Sequence, residues 1–232
     1  MEEKVNEYIY PYHWAWDGFF KKVYEYPVKS SLNNFSKSDV VLDVGCGDGK
    51  LTSLIAPHVK NIIGVDNQDY PLKFARLIFD KLNIKNAKFE VGDITKLKYK
   101  NNSFDKVVCW DVIEHVPADI ASKGIKELIR VLKTNGKLFL TTPNRKELRG
   151  RFFGHKIIDK HYYEYTKDEL IQMLSPYLKD IKVTGYYIPP ILPKSEHFST
   201  IWPLRNIFYF LIPAGKNYPN ISTGLLVSGI KK

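Results

Sequence analysis

Cysteine is scarce in this chain: of 232 residues, only Cys46 and Cys109 carry a thiol. Two thiols exclude a disulfide framework and a cysteine-built zinc site, and no metal site is expected. They are expected as buried free thiols, close together if their strands are neighbours. Long apolar runs are missing as well. No stretch approaches the roughly 20 apolar residues of a membrane span, and Met1-Glu2-Glu3-Lys4 lacks the basic flank and apolar stretch of a secretory signal. The expected location is therefore cytoplasmic. Internal repeats and low-complexity blocks are absent. Acidic side chains are outnumbered, 25 against 35 lysines and arginines, which leaves a net charge of +10. That balance suits an anionic partner, such as nucleic acid, a lipid surface or an acidic substrate, without choosing among them. One cluster is concentrated: Arg145, Lys146, Arg149, Arg151, Lys156 and Lys160 stand against only Glu147 and Asp159.

What is present is enough apolar residue, 44%, for one domain with a sizeable core. Short apolar runs alternate with helical patterns, which points to an α/β organisation. Val40 to Val44, Ile62 to Val65, Ala87 to Val91 and Lys106 to Trp110 read as strands. A helix over 71–82 places Leu72, Ala75, Ile78, Phe79 and Leu82 on one face. A second, over 118–132, buries Ala121, Ile125, Leu128, Ile129 and Leu132. Asn135-Gly136 is a turn into a fifth strand from Lys137 to Thr142. Strand-helix alternation with right-handed crossovers builds a parallel sheet covered on both faces. Thr166 and Glu169 then form a capping box, with Tyr165 and Leu170 as a hydrophobic staple, so a helix starts at Thr166. Asp180 to Ile188 and Thr223 to Ile230 follow as an antiparallel pair. Between them lies an insertion, 189–219, whose apolar helical stretch holds Ile201, Leu204, Ile207, Phe208 and Leu211.

The chemistry is expected at the ends of the strands. Gly45, Gly47 and Gly49 follow the first strand, where residues without a Cβ let the backbone approach a ligand. By itself such a trio is ordinarily a structural turn. About 20 residues on, Asp66 ends the second strand, where a carboxylate accepts the hydroxyls of a ribose. The loop lacks the third-glycine spacing of the dinucleotide fingerprint. Asp43 and Asp48 would also repel a pyrophosphate and tolerate a cation.

Taken together, Val41-Leu42-Asp43-Val44-Gly45-Cys46-Gly47-Asp48-Gly49, Gly64-Val65-Asp66, Gly92-Asp93-Ile94, Asp111-Val112-Ile113-Glu114-His115-Val116 and Leu132 to Leu138 before Thr142-Pro143-Asn144 resemble, in order, the motifs of class I S-adenosylmethionine (SAM) dependent methyltransferases. The closest subgroup is the type 11, or ubiquinone-biosynthesis-like, methyltransferases, and the resemblance covers about 40–170. It implies a Rossmann-like, seven-stranded, mostly parallel sheet with helices on both faces. It also implies SAM as cofactor, S-adenosylhomocysteine (SAH) as product, and a small-molecule acceptor. Gly45, Cys46 and Gly47 would face the methionine part, with Asp43 ordering the loop. Asp66 would bind the ribose and Asn67 would pack beside the adenine. Asp93 and Ile94 would hold the adenine edge, while Trp110 and Asp111 would border the methionine. For Asp93, a turn or cap is the alternative.

A general base is optional in this chemistry, because in-line displacement at carbon mainly needs alignment and a dry pocket. His115 and His161 are the candidates, and each is equally well read as a structural histidine. Tyr162, Tyr163 and Glu164 either line the pocket or form a surface strand. The lead-in, 1–38, carries Tyr12, His13, Trp14, Trp16, Phe19 and Phe20 and is expected to be a helical partial lid on a 39–232 catalytic domain. Rivals to small-molecule methylation are RNA methylation, prompted by the charge, and a non-catalytic SAM-binding partner subunit. A peripheral membrane contact through 198–212 is a variant of the first reading, with Arg205 and Pro203 preventing a span.

Overall fold

The computed structural model describes residues 10–16, 18–155, 157, 160–188 and 209–232. Seven strands form one sheet: β1 (Val40–Val44), β2 (Asn61–Asp66), β3 (Ala87–Val91), β4 (Phe104–Trp110), β5 (Leu132–Pro143), β6 (Leu178–Tyr186) and β7 (Gly224–Lys231). Their spatial order is β3-β2-β1-β4-β5-β7-β6. The first five are parallel, while β7 runs antiparallel to both β5 and β6. The Rossmann-like architecture expected from the sequence is thus present. The C-terminal antiparallel pair is threaded so that β7 lies inside the sheet and β6 forms the edge. Lys179, Asp180 and Lys182 on β6 suit an edge, where charge discourages pairing with a second chain.

Helices cover both faces. α1 (Tyr12–Ala15), α2 (Gly18–Ser31), α3 (Lys50–Ile55), α4 (Asp69–Lys81), α5 (Ala118–Val131), α6 (Leu148–Phe153), α7 (Lys167–Leu174) and α8 (Leu211–Ala214) are the α-helices among the described residues. Alternation along β1 separates two apolar clusters. Val41 packs with Leu51, Ile55, Leu72 and Phe79 on one face, and Leu42 with Ile125, Leu128, Leu138 and Leu170 on the other. Each such side chain contributes about 1.5–3 kcal/mol by leaving water. α5 buries Ala121, Ile125, Leu128 and Ile129, whereas Leu132, also buried, is already the first residue of β5. α4 buries Leu72, Ala75 and Phe79, but Leu82 caps the helix and is exposed, because the chain leaves the apolar face there.

The capping box forms as expected: Thr166 accepts from the Glu169 N–H, and Glu169 accepts from the Thr166 N–H at 2.7 Å. The fifth strand departs from the reading. It starts at Leu132, directly after α5, and accommodates Asn135-Gly136 as an irregularity in which Asn135 takes φ 61°. A Cβ at position 136 would lie 2.7 Å from the Lys133 carbonyl, which explains the glycine. Of the insertion, 189–208 lies outside the described residues. Ile201, Leu204, Ile207 and Phe208, and most of the 198–212 segment, fall there, leaving Leu211 in α8. No helix among the described residues is long and apolar enough to cross a membrane.

Strand order reverses between β1 and β4, so their carboxyl ends diverge and open a crevice. That crevice is the candidate functional site.

Candidate active site

The crevice is a cavity of about 1070 Å³, at the upper end of the roughly 300–1,000 Å³ of small-molecule sites. It has room for two ligands. Gly45, Cys46, Gly47, Asp66, Asn67, Asp93, Ile94 and Trp110 line one end, and Asp111, His115 and His161 line the cavity beyond them. Of the site residues expected from the sequence, only Asp43 does not line it. Asp43 is buried behind the loop, where one carboxylate oxygen accepts from the Thr52 hydroxyl at 2.6 Å and the other has no hydrogen-bond partner. Burial, reinforced by the Asp66 charge, pushes its carboxyl up to about 7 although the Thr52 bond opposes this.

The glycines behave as their chemistry dictates. Gly45, Gly47 and Gly49 take φ of 78°, 53° and 76°, a region that side chains disfavour. The Gly45 and Cys46 N–H groups donate to the Val65 carbonyl, tying the loop to β2. Asp66 accepts from the Gly47 N–H and the Gln68 N–H, both at 3.0 Å. Each of its oxygens is thereby fixed and keeps a further lone pair, so the carboxylate remains able to accept from vicinal hydroxyls. Burial raises its pKa, offset by those backbone bonds. Asp93 is a turn residue, accepting from the N–H and hydroxyl of Thr95 at 2.7 and 2.8 Å, and it also lines the cavity. The turn reading of Asp93 is thus met, in a residue that also faces the cavity. Cys46 is half-buried and Cys109 buried, both as free thiols whose pKa burial pushes up.

At the other end, buried acids gather. Asp111 holds φ 50°, a strained conformation for a residue with a side chain. Burial raises its pKa, while Thr141 and then His161 and His13 oppose the shift. Glu114 is fully buried with neither carboxylate oxygen hydrogen-bonded, and burial and the Asp111 charge drive it toward its neutral form. The Tyr162 N–H donates to the Glu114 carbonyl at 2.7 Å, bringing the 160–165 segment against the 113–115 turn. The rings of His115 and His161 consequently meet edge to face at 4.8 Å. Donor atoms of Glu114, His115 and His161 lie within 4.8 Å of one another, a grouping suited to proton transfer or to a divalent cation. Tyr162, Tyr163 and Glu164 form neither a strand nor the cavity wall: Tyr162 is exposed, Tyr163 donates to Glu169, and Glu164 stands behind His161.

The lead-in roofs the cavity with Tyr12, His13, Trp16, Phe20 and Tyr24. His13 stacks on Tyr24 and lies 3.1 Å from Asp48, while the Trp14 indole donates to the Asp48 carbonyl at 3.0 Å. Lys50, buried beneath, pairs with Glu25 at 3.2 Å and lies over the Trp14 ring. Sequence reasoning did not assign site roles to Glu114, Tyr186, Gln68 or Thr223, which also line the cavity. Glu114 had a signal in the motif quoted for its segment, whereas Tyr186 and Thr223 enter only through the β6–β7 pairing. Three of the six residues of the basic cluster are engaged within the chain: Arg145 pairs with Glu169, Lys146 with Asp168, and Arg151 donates to the Lys146 and Asn220 carbonyls.

Comparison with known proteins bears on this arrangement. Residues 35–181 match a family described as a methyltransferase domain. The ubiquinone biosynthesis O-methyltransferase of Coxiella burnetii is 29% identical over 166 residues, covering 67% of this chain and 70% of that protein. Among solved structures, a Pyrococcus horikoshii protein superposes with a TM-score of 0.68 at 19% identity, covering 98% and 100% of the two chains. The N-methyltransferase NodS of Bradyrhizobium japonicum, solved with S-adenosyl-L-homocysteine, gives 0.63 at 16% identity over 93% and 89%.

Proposed function

We propose, from the premise that this chain belongs to the methyltransferase-domain family, that its cavity seats SAM along the ends of β1 to β4 and a small-molecule acceptor under the aromatic lead-in. The protein is an enzyme that uses SAM as methyl donor. When bound, that cofactor supplies an activated methyl group on a sulfonium. The chain's own work is to bind, align and exclude water. In this reading the 45–47 loop presents a wall bare of large side chains to the methionine part, with Trp110 and Asp111 on its far side. The uncompensated Asp43 carboxylate behind the loop favours a cationic ligand. Asp66 receives the ribose hydroxyls, Asn67 flanks the adenine, and Asp93 with Ile94 holds the adenine edge.

Segment 1–38, in its described part, acts as a partial lid on the 39–232 catalytic domain, latched through Trp14 and His13 onto the glycine loop. His115 and His161 stand at the acceptor end. The carrying observation is Asp66: its two oxygens are pre-set by backbone amides while it lines a cavity large enough for cofactor and acceptor together. RNA receives no separate support, since Arg145, Lys146 and Arg151 are held by intrachain partners.

The test is incubation of methyl-labelled SAM with the protein and a fractionated cell extract. Label entering a small polar or lipid fraction, with SAH formed, is the expected result. Label confined to RNA or protein overturns the acceptor class. SAM binding without any SAH formation means a non-catalytic partner subunit.

A further inference from the structure

We propose that His161 is the general base of this site, that Glu164 and His155 position it, and that the acceptor atom is therefore a hydroxyl oxygen; this rests on the methyltransferase reading above. Glu164 is 2% exposed and does not line the cavity. Its carboxylate lies between two imidazoles: His161 Nδ1 is hydrogen-bonded to one oxygen at 2.7 Å, and His155 Nε2 approaches the other at 2.8 Å without hydrogen-bond geometry. A buried carboxylate on Nδ1 selects the tautomer that carries its proton there. Nε2 is then the unprotonated nitrogen that His161 offers to the cavity it lines.

This is the architecture of an oriented base, in which the group behind the ring fixes tautomer and direction. His115, the competing candidate, presents its Nδ1 to the Lys160 carbonyl at 3.3 Å, and its side chain is exposed. The other charged or titratable groups facing His161 are His115 at its ring edge, Glu114 within the same cluster, Asp111 through space, and the neighbouring Lys160.

The need for a base speaks to the acceptor. A neutral amine attacks a methyl group with its own lone pair and sheds its proton afterwards, whereas a hydroxyl becomes a competent nucleophile as it loses its proton. In the proposed step the acceptor O–H proton passes to His161 Nε2 as the oxygen bonds to the methyl carbon. The carbon–sulfur bond breaks with its electron pair left on sulfur as a neutral thioether. The imidazolium then returns the proton to water.

The experiment has two arms on the full chain. Long-range ¹H–¹⁵N correlation on histidine-labelled protein with SAH bound reads the tautomer without needing an acceptor. The expected result is His161 protonated at Nδ1 in the wild type and a loss of that preference in Glu164→Gln. An Nε2–H tautomer in the wild type overturns the proposal. In the second arm, methyl transfer from labelled SAM to the acceptor-bearing extract fraction is measured against pH. His161→Gln is expected to lower the rate on the order of 10²-fold or more with SAH affinity unchanged. Glu164→Gln should lower the rate, and Glu164→Asp should recover part of it. A His161→Gln rate close to the wild-type rate, a product methylated on nitrogen or carbon, or transfer abolished by chelator and restored by a divalent cation each overturns it. If the wild type forms no SAH with any fraction, the methyltransferase reading fails, while the tautomer still decides the relay.

Discussion

Replacing Asp66 with asparagine separates ligand binding from folding. In the free protein its two oxygens each accept one backbone N–H, from Gly47 and from Gln68. Two lone pairs remain for the ribose hydroxyls. Asparagine keeps one acceptor, loses the charge, and turns an N–H₂ toward a backbone N–H. Hydrogen bonds to a charged group contribute about 1.5–3 kcal/mol each, so losing one and weakening the other costs about 3 kcal/mol of SAM affinity, roughly 100-fold in Kd. Stability should change far less, because removing the charge relieves the burial that raises the Asp66 pKa, offsetting the lost loop bond. Titration calorimetry with SAH and a thermal melt of the unliganded protein measure the two effects. A Kd within about threefold of the wild type would refute the ribose assignment. A Tm drop of more than about 8 °C, beyond some 2 kcal/mol, would show that Asp66 chiefly holds the loop.

Gly45→Ala combines φ 78° with a Cβ that would lie 2.2 Å from Val112 Cγ2, so a loss of about 2–3 kcal/mol is expected. Chemical denaturation should show Val112→Ala restoring only the steric part. SAM binding should strengthen with pH, because Asp43 is pushed up to about 7 and a cationic ligand favours its ionised form. With about a tenth of Asp43 ionised at pH 6, Kd should be about tenfold weaker there than at pH 8, and Asp43→Asn should flatten the curve. The same shift has the opposite sign for folding: the native state holds the extra proton, so this carboxyl's contribution to stability declines as pH rises from 3.8 toward about 7. His13→Ala with Trp14→Ala should release the lead-in from Asp48 and speed SAM dissociation about 30-fold, at roughly 1 kcal/mol for each of the two hydrogen bonds. Stopped-flow fluorescence reads this, and an unchanged off-rate argues against a lid.

Much of the fold was legible because local chemistry and tertiary demand agree. The staple and capping box at Thr166, the apolar face of α5 and the glycines with positive φ all follow from residues within one or two turns of one another. The exceptions are informative. Leu82 has the right period but lies past the point where its helix leaves the core, and Asn135-Gly136 has turn chemistry but is absorbed by a strand already begun at Leu132. A periodic pattern says which residues share a face, and only packing says where that face ends.

The sequence by itself determined which residues gather at the proposed cofactor end, since each strand carries its candidate residue at its own carboxyl end and a parallel sheet aligns those ends. The acceptor end was decided by tertiary structure alone. His161 is 46 positions from His115 and meets it through the Tyr162 to Glu114 backbone bond, and Glu164 acquires meaning only when burial places it between His161 and His155. Asp43 likewise reads in sequence only as a strand residue that orders the loop. Removing it from water behind the loop is what raises its pKa and makes it sensitive to a cation it does not line the cavity to meet.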